Sequence, residues 1–488
     1  MHYIFSRLSQ RIHGIGVAFV TFLAFVPALA TANPGFVDGV PAPSALQGPT
    51  LTLISPVEGA SLPSSPAAPE DIIARLRHSF ELQYDDNHRT TAERNWFIKH
   101  QSYLTRVFTR GQRYLPYIVA ELERRDLPLE LALLPIVESA YDPFAYSHGR
   151  AAGLWQMIPG TATRFGIKQT WWYDGRRDIV DSTRAALDYL EYLEEINDGD
   201  WLNAIASYNS GEGNVLRAAR KNRKAGKPTD FWNLRLPKET SMYVPKLLAL
   251  VEIVADPAKY GVTLPEVANE PQFAITDIDS QLDLALAAEL AGVDVDTIYR
   301  YNPGYNRWST DPAGPHQLVM PVDLADTFTA SLAEVPVRER VRWKRHKIGN
   351  GEAISQIAEK YGTTVSALRS ANNLRGNTIR AGQYLMIPVA TKPLSAYSQS
   401  ADARLARTQN VKRASNKLQH VVRSGESFWS ISRKYRVTHR SLAKRNGMAP
   451  GDPRSIGKKL VVWTNKSVTD NGPATSPMTA TNTNRKIR

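Results

Sequence analysis

Apolar residues along this chain follow several periods, and each change of period marks a boundary. Arg7 and Arg11 precede an apolar run from Ile15 to Val26, closed by Pro27 and the small-residue stretch Ala28-Leu29-Ala30-Thr31-Ala32. Charge, apolar run and small residues in that order predict an export signal over residues 1–32. The run is shorter than the roughly 18 to 20 residues a membrane span needs, so cleavage is the first reading and a retained anchor the alternative. Residues 33–70 are rich in Pro, Ala, Ser and Gly without periodicity and read as a linker. From Asp71 the period becomes helical and stays so to about residue 265. Ala186, Tyr189, Leu190, Leu193 and Ile196 keep a three-four spacing that Asn197 and Gly199 stop, with Asp181 the expected cap. Further helices are predicted over Trp201 to Tyr208 and Ser241 to Ala255.

The C-terminal part repeats itself. Gly351-Glu352-Ala353-Ile354 runs through Tyr361, Gly362 and Asn372 to Leu385-Met386-Ile387-Pro388, and Gly425-Glu426-Ser427-Phe428 opens a second copy with Ile431, Tyr435, Asn446 and Leu460-Val461-Val462 in step. Each copy starts and ends on a short β-type run around two helical stretches, which predicts β-α-α-β modules at 344–390 and 418–464. A fainter copy at 271–323 keeps Leu290-Ala291-Gly292, Tyr301-Asn302 and Leu318-Val319-Met320-Pro321 but lacks the Gly-Glu opening. Residues 391–417 read as a polar, basic linker and 465–488 as a Thr/Asn/Pro tail. The expected fold class is therefore multidomain, a mainly α domain followed by small β-α-α-β modules.

Charge sharpens this division. The net charge of +13 sums two unlike parts: 28 Lys and Arg against 6 Asp and Glu from Arg342 onward, and 32 against 41 before it. A basic C-terminal part can read as a nucleic-acid footprint. Behind an export signal, an acidic polymer or an anionic surface is the better partner. The chain has no cysteine, which excludes disulfides, thiolate metal sites and a cysteine-linked lipid anchor.

Signatures of metalloproteases, phosphate-binding loops and serine hydrolases are missing from the sequence, and the ten His are scattered without ligand spacing, so neither metal nor cofactor is expected. The segment Leu131-Ala132-Leu133-Leu134-Pro135-Ile136-Val137-Glu138-Ser139 delivers a single carboxyl from an apolar helical run that stops at Asp142-Pro143. The helix C-terminus and apolar neighbours both disfavour its charge, which suits a general acid. An exposed Glu on the helix's wet side is the alternative.

Downstream come Gly153-Leu154-Trp155-Gln156, Ser207-Tyr208-Asn209 and Glu239-Thr240-Ser241-Met242-Tyr243-Val244. In this order, with Glu138-Ser139, they resemble the motifs of lytic transglycosylases with a soluble-transglycosylase-type, lysozyme-like catalytic domain. The repeats resemble LysM modules, and the combination is most similar to the membrane-bound murein transglycosylase D subgroup. Ser207 stands where that family usually has Ala, and the module openings have Gly-Glu where Gly-Asp is usual.

The resemblance implies Glu138 as sole catalytic acid and base. It places Ser147 and Gln156 on the N-acetyl sugar, Tyr208 and Asn209 on the opposite wall, and Glu239 and Tyr243 behind that wall. For Gln156, Asn209, Glu239 and Tyr243 a purely structural role stays open. Gly153 is expected to serve close packing, and of Trp155, Trp171 and Trp172 at least two are expected in the core. The implied partner is the peptidoglycan glycan strand and not nucleic acid; the implied location is the periplasm or cell envelope, with any membrane association not through a lipid anchor. A hydrolase on the same fold would need a second carboxylate in the cleft, for which Asp142 is nearest by sequence; a wall-binding protein with a silent cleft is the third reading.

Overall fold

The computed structural model describes residues 71–84, 87–147, 149–452 and 456–465. The expected export signal, the 33–70 linker and the tail after residue 465 lie outside the described residues.

Helices α1 (Ile72–Arg77), α2 (His88–Lys99), α3 (Gln101–Gly111) and α4 (Leu115–Arg124) lead into a 3-10 turn at Leu129–Leu133 and the short α5 (Leu134–Ser139). They are followed by α6 (Pro159–Arg164), α7 (Ile179–Ile196), α8 (Trp201–Ser210), α9 (Glu212–Lys224) and α10 (Lys238–Ala255). The last of these is the spine of the domain. Val244, Leu247, Leu248, Leu250, Val251, Ile253 and Val254 are all buried, so α10 is apolar nearly all round, as a helix enclosed by others must be. Asp71 ties the domain shut: its carboxylate caps α1 and also accepts the amide of Val267, while the Ile72 amide donates to the Val267 carbonyl at 2.8 Å. The cap of α7 is Asp178, not the expected Asp181. Asp178 accepts the amides of Val180 and Asp181 at 2.9 Å, so the helix starts one turn earlier than its apolar spacing suggested.

Three small units follow, each an antiparallel strand pair around two helices. The first pairs β1 (Phe273–Asp277) with β2 (Gln317–Pro321) around α11 (Leu284–Leu290) and α12 (Val295–Tyr301), and carries the additional helix α13 (Ala325–Ala333). The second pairs β3 (Arg342–Lys347) with β4 (Tyr384–Val389) around α14 (Ile354–Lys360) and α15 (Val365–Ala371). Between second and third lies α16 (Ala401–Asn410); the third pairs β5 (Asn416–Val421) with β6 (Lys459–Thr464) around α17 (Phe428–Tyr435) and α18 (His439–Arg445).

One Asn per unit explains why that residue recurs in step. Asn302, Asn372 and Asn446 each follow the second helix and donate to the carbonyl four residues back and to a carbonyl of the returning strand. Each also accepts the amide of that same strand residue, Val319, Met386 or Val461, at 2.7–2.8 Å. The side chain thus serves as a fragment of neighbouring strand and satisfies backbone groups that would otherwise be unpaired.

The Gly-Glu openings are explained the same way. Glu352 accepts the Gly349 amide and His346 Nε2 lies 2.9 Å from it; Glu426 repeats this with the Arg423 amide and His420. Each His reaches a Tyr hydroxyl, Tyr361 or Tyr435, with its other nitrogen. These glutamates hold the loop that follows the first strand.

Residues 391–417, expected as a plain linker, contain a ten-residue helix bonded at both ends. Ser400 caps α16, and the run of Ala, Arg and Leu that follows favours helix. Toward the first unit, the Thr391 amide and the Tyr397 hydroxyl bond the buried Asp283, and the Ala401 amide bonds the Asn306 carbonyl. Toward the third, Trp463 Nε1 donates to the Gln409 carbonyl at 2.8 Å and Gln409 donates to Asn446 at 3.0 Å.

Substituting Asn446→Ala strips the Val461 N–H and C=O of their partners, at roughly 1–3 kcal/mol for each buried group left unsatisfied. The third unit should then unfold at lower urea concentration, followed by Trp463 fluorescence, with Asn446→Asp, which keeps the acceptor, losing less. An unchanged midpoint for Asn446→Ala would show that the side chain is not what pins the strand.

Candidate active site

A cleft of about 1590 Å³ is lined mostly by the helical domain, and all seven residues expected to form a site line it: Glu138, Ser147, Gln156, Tyr208, Asn209, Glu239 and Tyr243. They come from four separate elements, and hydrogen bonds between the motifs explain how they converge.

Glu138 sits in the last turn of α5. Ala140 and Tyr141 then both take left-handed backbone angles, φ 53° and 54°, which ends the helix at once. The buried Tyr141 ring anchors this turn by donating to the Ala132 carbonyl at 2.5 Å, and it packs so tightly on Gly111 that a Cβ there would lie 2.8 Å from it. Next to the acid, Ser139 donates to the Leu154 carbonyl at 2.9 Å, so the helix carrying Glu138 is fastened to the Gly-Leu-Trp-Gln loop. From the far side, the Tyr208 hydroxyl donates to the Trp155 carbonyl of the same loop at 2.7 Å. Within the loop, Gly153 has φ 81°, and a Cβ would fall 1.8 Å from the Arg176 carbonyl, which accounts for glycine by packing alone. Gln156 has φ 45° and donates to the Gly153 carbonyl at 2.8 Å. Ser147 Oγ accepts the amides of Gly149 and Ala151, holding the rim turn.

The last motif closes the ring. Thr240 donates to Asn209 Oδ1 at 2.9 Å, and the Tyr243 hydroxyl donates to Glu138 Oε1 at 2.5 Å. Glu239 and Tyr243 therefore do not stand behind the wall, as expected. Because α10 lays one face along the cleft, with Lys238, Glu239, Met242, Tyr243 and Lys246 lining it, Glu239 is exposed at its surface and Tyr243, one turn on, reaches the acid itself. Ser139 and Thr240, the two fasteners, were not singled out in the sequence; their place inside the motifs was the available signal.

The electrostatics follow from this burial. Glu138 is pushed up from 4.5 to about 7, chiefly by loss of hydration, with the Tyr243 bond opposing, nearby Glu239 reinforcing and Lys246 opposing. Tyr243 is driven well above its usual range by burial and then by Glu138, so it stays protonated and can only donate to the carboxylate. Glu138 Oε2 has no hydrogen-bond partner among the described residues.

Asp142 is not a second cleft carboxylate: it accepts the Phe144 amide at 3.0 Å and does not line the cleft. Nor do Trp155, Trp171 or Trp172 line it. Trp155 and Trp172 are buried in the core, and Trp171 lies under the Arg307 guanidinium.

The raised value makes a signed prediction. The unfolded chain releases this proton near 4.5 and the folded chain near 7, so stability falls as pH rises between those values and levels off above, a loss of about 3 kcal/mol. Glu138→Gln should therefore melt higher than the parent at pH 8 and alike at pH 4. An equal difference at both pH values would mean that the carboxyl is not held protonated by the fold.

Comparison with known proteins places these features in a family context. The transglycosylase SLT domain matches residues 116–231, the LysM-like domain of lytic transglycosylase MltD matches residues 272–337, and the LysM domain matches 346–388 and 420–463. The chain is 35% identical over 404 residues to membrane-bound lytic murein transglycosylase D of Escherichia coli strain K12, covering 79% of this chain and 85% of that protein. It is 41% identical over 184 residues to a putative tributyltin chloride resistance protein of Alteromonas sp., 37% of this chain and 87% of that one. Among solved structures, the 70 kDa soluble lytic transglycosylase of Escherichia coli aligns with a TM-score of 0.27 at 19% identity, over 34% of this chain and 30% of that one.

Proposed function

Because the chain belongs to the membrane-bound lytic murein transglycosylase D family, we propose that it cleaves peptidoglycan glycan strands without water, with Glu138 as the only acid and base. The observation that carries this reading is the half-buried Glu138 carboxyl, which lines the cleft, accepts from Tyr243 on one oxygen and is raised to about 7 by loss of hydration.

Glycosidases ordinarily divide the work between two carboxyls. Here one suffices if the sugar supplies the nucleophile. Protonated Glu138 gives its proton to the oxygen joining N-acetylmuramic acid to N-acetylglucosamine, and the C1–O bond breaks. The muramyl acetamide stabilises the positive charge left at C1, with Gln156 and Ser147 positioned to orient that group. Tyr243 donates to the carboxylate formed in this step and so stabilises it. The carboxylate then takes the proton of the muramyl C6 hydroxyl as that oxygen bonds C1, closing a 1,6-anhydro ring and restoring the acid. Such a reaction gains from holding the internal nucleophile near its target, an effect worth up to roughly 7–11 kcal/mol in ideal geometry.

A murein substrate places the enzyme in the cell envelope. Among the described residues no helix is long and apolar enough to cross a membrane.

Mass analysis of fragments released from purified sacculi tests the reading. Products should be lighter by one water than lysozyme fragments; reducing ends would make the enzyme a hydrolase, and no release a binding protein. Glu138→Gln should lower the rate by roughly 100- to 10,000-fold. Tyr243→Phe removes the bond that favours the carboxylate. The alkaline limb of its pH–rate profile should move to higher pH while the maximum drops about tenfold. A profile unchanged in position would separate Tyr243 from the acid's chemistry.

A further inference from the structure

The catalytic cleft is not bounded by the helical domain alone. His439 and Arg440 at the start of α18, and Pro450 and Gly451 in the loop before β6, line it as well. All four belong to the third β-α-α-β unit. That unit is held against the catalytic domain at two places. Arg150, on the rim turn that Ser147 holds, forms an ion pair with Asp452 in the same loop as Pro450 and Gly451. Asp452 is fixed in turn by the Ala449 amide at 2.7 Å. On the other side, α16 bonds the unit through Gln409 and lays Arg404 over the Phe144 ring at 4.7 Å.

Within this rim Arg440 is exposed and has no hydrogen bond or ion pair among the described residues. Neither the fold of the unit nor its attachment uses this cation, so it stands available to a ligand in the cleft. An outer wall made of a turn and an uncommitted guanidinium suits a saccharide chain that carries carboxylates.

We propose that the third unit supplies the outer subsites of the catalytic cleft, so that one glycan strand lies on Glu138 and on the unit at the same time, with Arg440 taking a carboxylate of the peptide stem. This rests on the murein-cleaving reading above. It differs from tethering, in which a module binds the wall elsewhere and only raises local substrate concentration. Contiguous subsites make turnover depend on strand length, whereas a remote tether does not discriminate among soluble oligomers too short to reach it.

The test is kinetic, on the full chain, with soluble murein oligomers of increasing length, with and without peptide stems. The parent should gain about tenfold or more in kcat/KM from the shortest cleaved oligomer to one long enough to reach the third unit. Asp452→Lys, which breaks the ion pair with Arg150, should lose that gain while keeping turnover of the shortest oligomer. Restoring the pair with reversed signs, Arg150→Asp together with Asp452→Arg, should recover it. Arg440→Ala should lose only the part of the gain that needs stems. Equal efficiency of the parent on short and long oligomers would overturn the proposal, as would faster cleavage of every oligomer by Asp452→Lys, which would make the unit a cover. If the parent cleaves no oligomer of any length, the murein-cleaving reading itself fails, and that outcome is distinct from both.

Discussion

The site depends on a closed set of hydrogen bonds around one desolvated carboxyl. Ser139 to Leu154, Tyr208 to Trp155, Thr240 to Asn209 and Tyr243 to Glu138 join four stretches, with partners up to 105 residues apart in the chain. Each bond uses a side chain from one motif to satisfy a group of another. The loop that carries Gln156 is therefore held from two sides, and the acid is half-buried beside it. Burial raises the cost of its charge, and the Tyr243 hydroxyl offsets only part of that cost. The balance leaves a group able to give a proton and take it back near neutral pH.

The ring also explains which parts of the site were legible beforehand. Glu138 was only in part: an apolar helix that delivers a single carboxyl is visible in one dimension, but it also suits an exposed Glu, and the choice came from the resemblance of the motifs that follow it to a known family. Gly153 was, because a glycine between apolar neighbours in a tight loop suggests packing, and the Arg176 carbonyl gives the reason. Tyr243 was named but misplaced. Its distance from Glu138 depends on how α10 packs against α5, and no periodicity within α10 encodes that. The cap of α7 was missed by one turn for a related reason: Asp178 and Asp181 are both suitable residues, and only the backbone decides which carboxylate faces the free amides. Asp142 drew notice by proximity in sequence, yet two left-handed residues before it turn it away from the cleft.

The repeated units were readable from their Asn, Tyr and closing apolar runs because each contact they make is local. Asn302, Asn372 and Asn446 act within a single unit, so the faint first copy kept the residue even though it lost the Gly-Glu opening. What could not be read was how the units are joined. The segment 391–417 is polar and basic, as a solvated linker would be, and its helix is stabilised by partners distant in sequence, among them Asp283, Asn306, Asn446 and Trp463. That strap brings the third unit beside the catalytic cleft, where the helical domain alone would leave an open rim.

All of this rests on a carboxyl that the fold keeps protonated far above its ordinary range. Titrating the full-length protein with 13C-labelled glutamate, and assigning the Glu138 carboxyl signal by its loss in Glu138→Gln, measures that directly. The signal should titrate near pH 7. A midpoint close to 4.5 would mean that the cleft solvates this group as water does, and an acid that must both donate and recover a proton would have to be sought elsewhere.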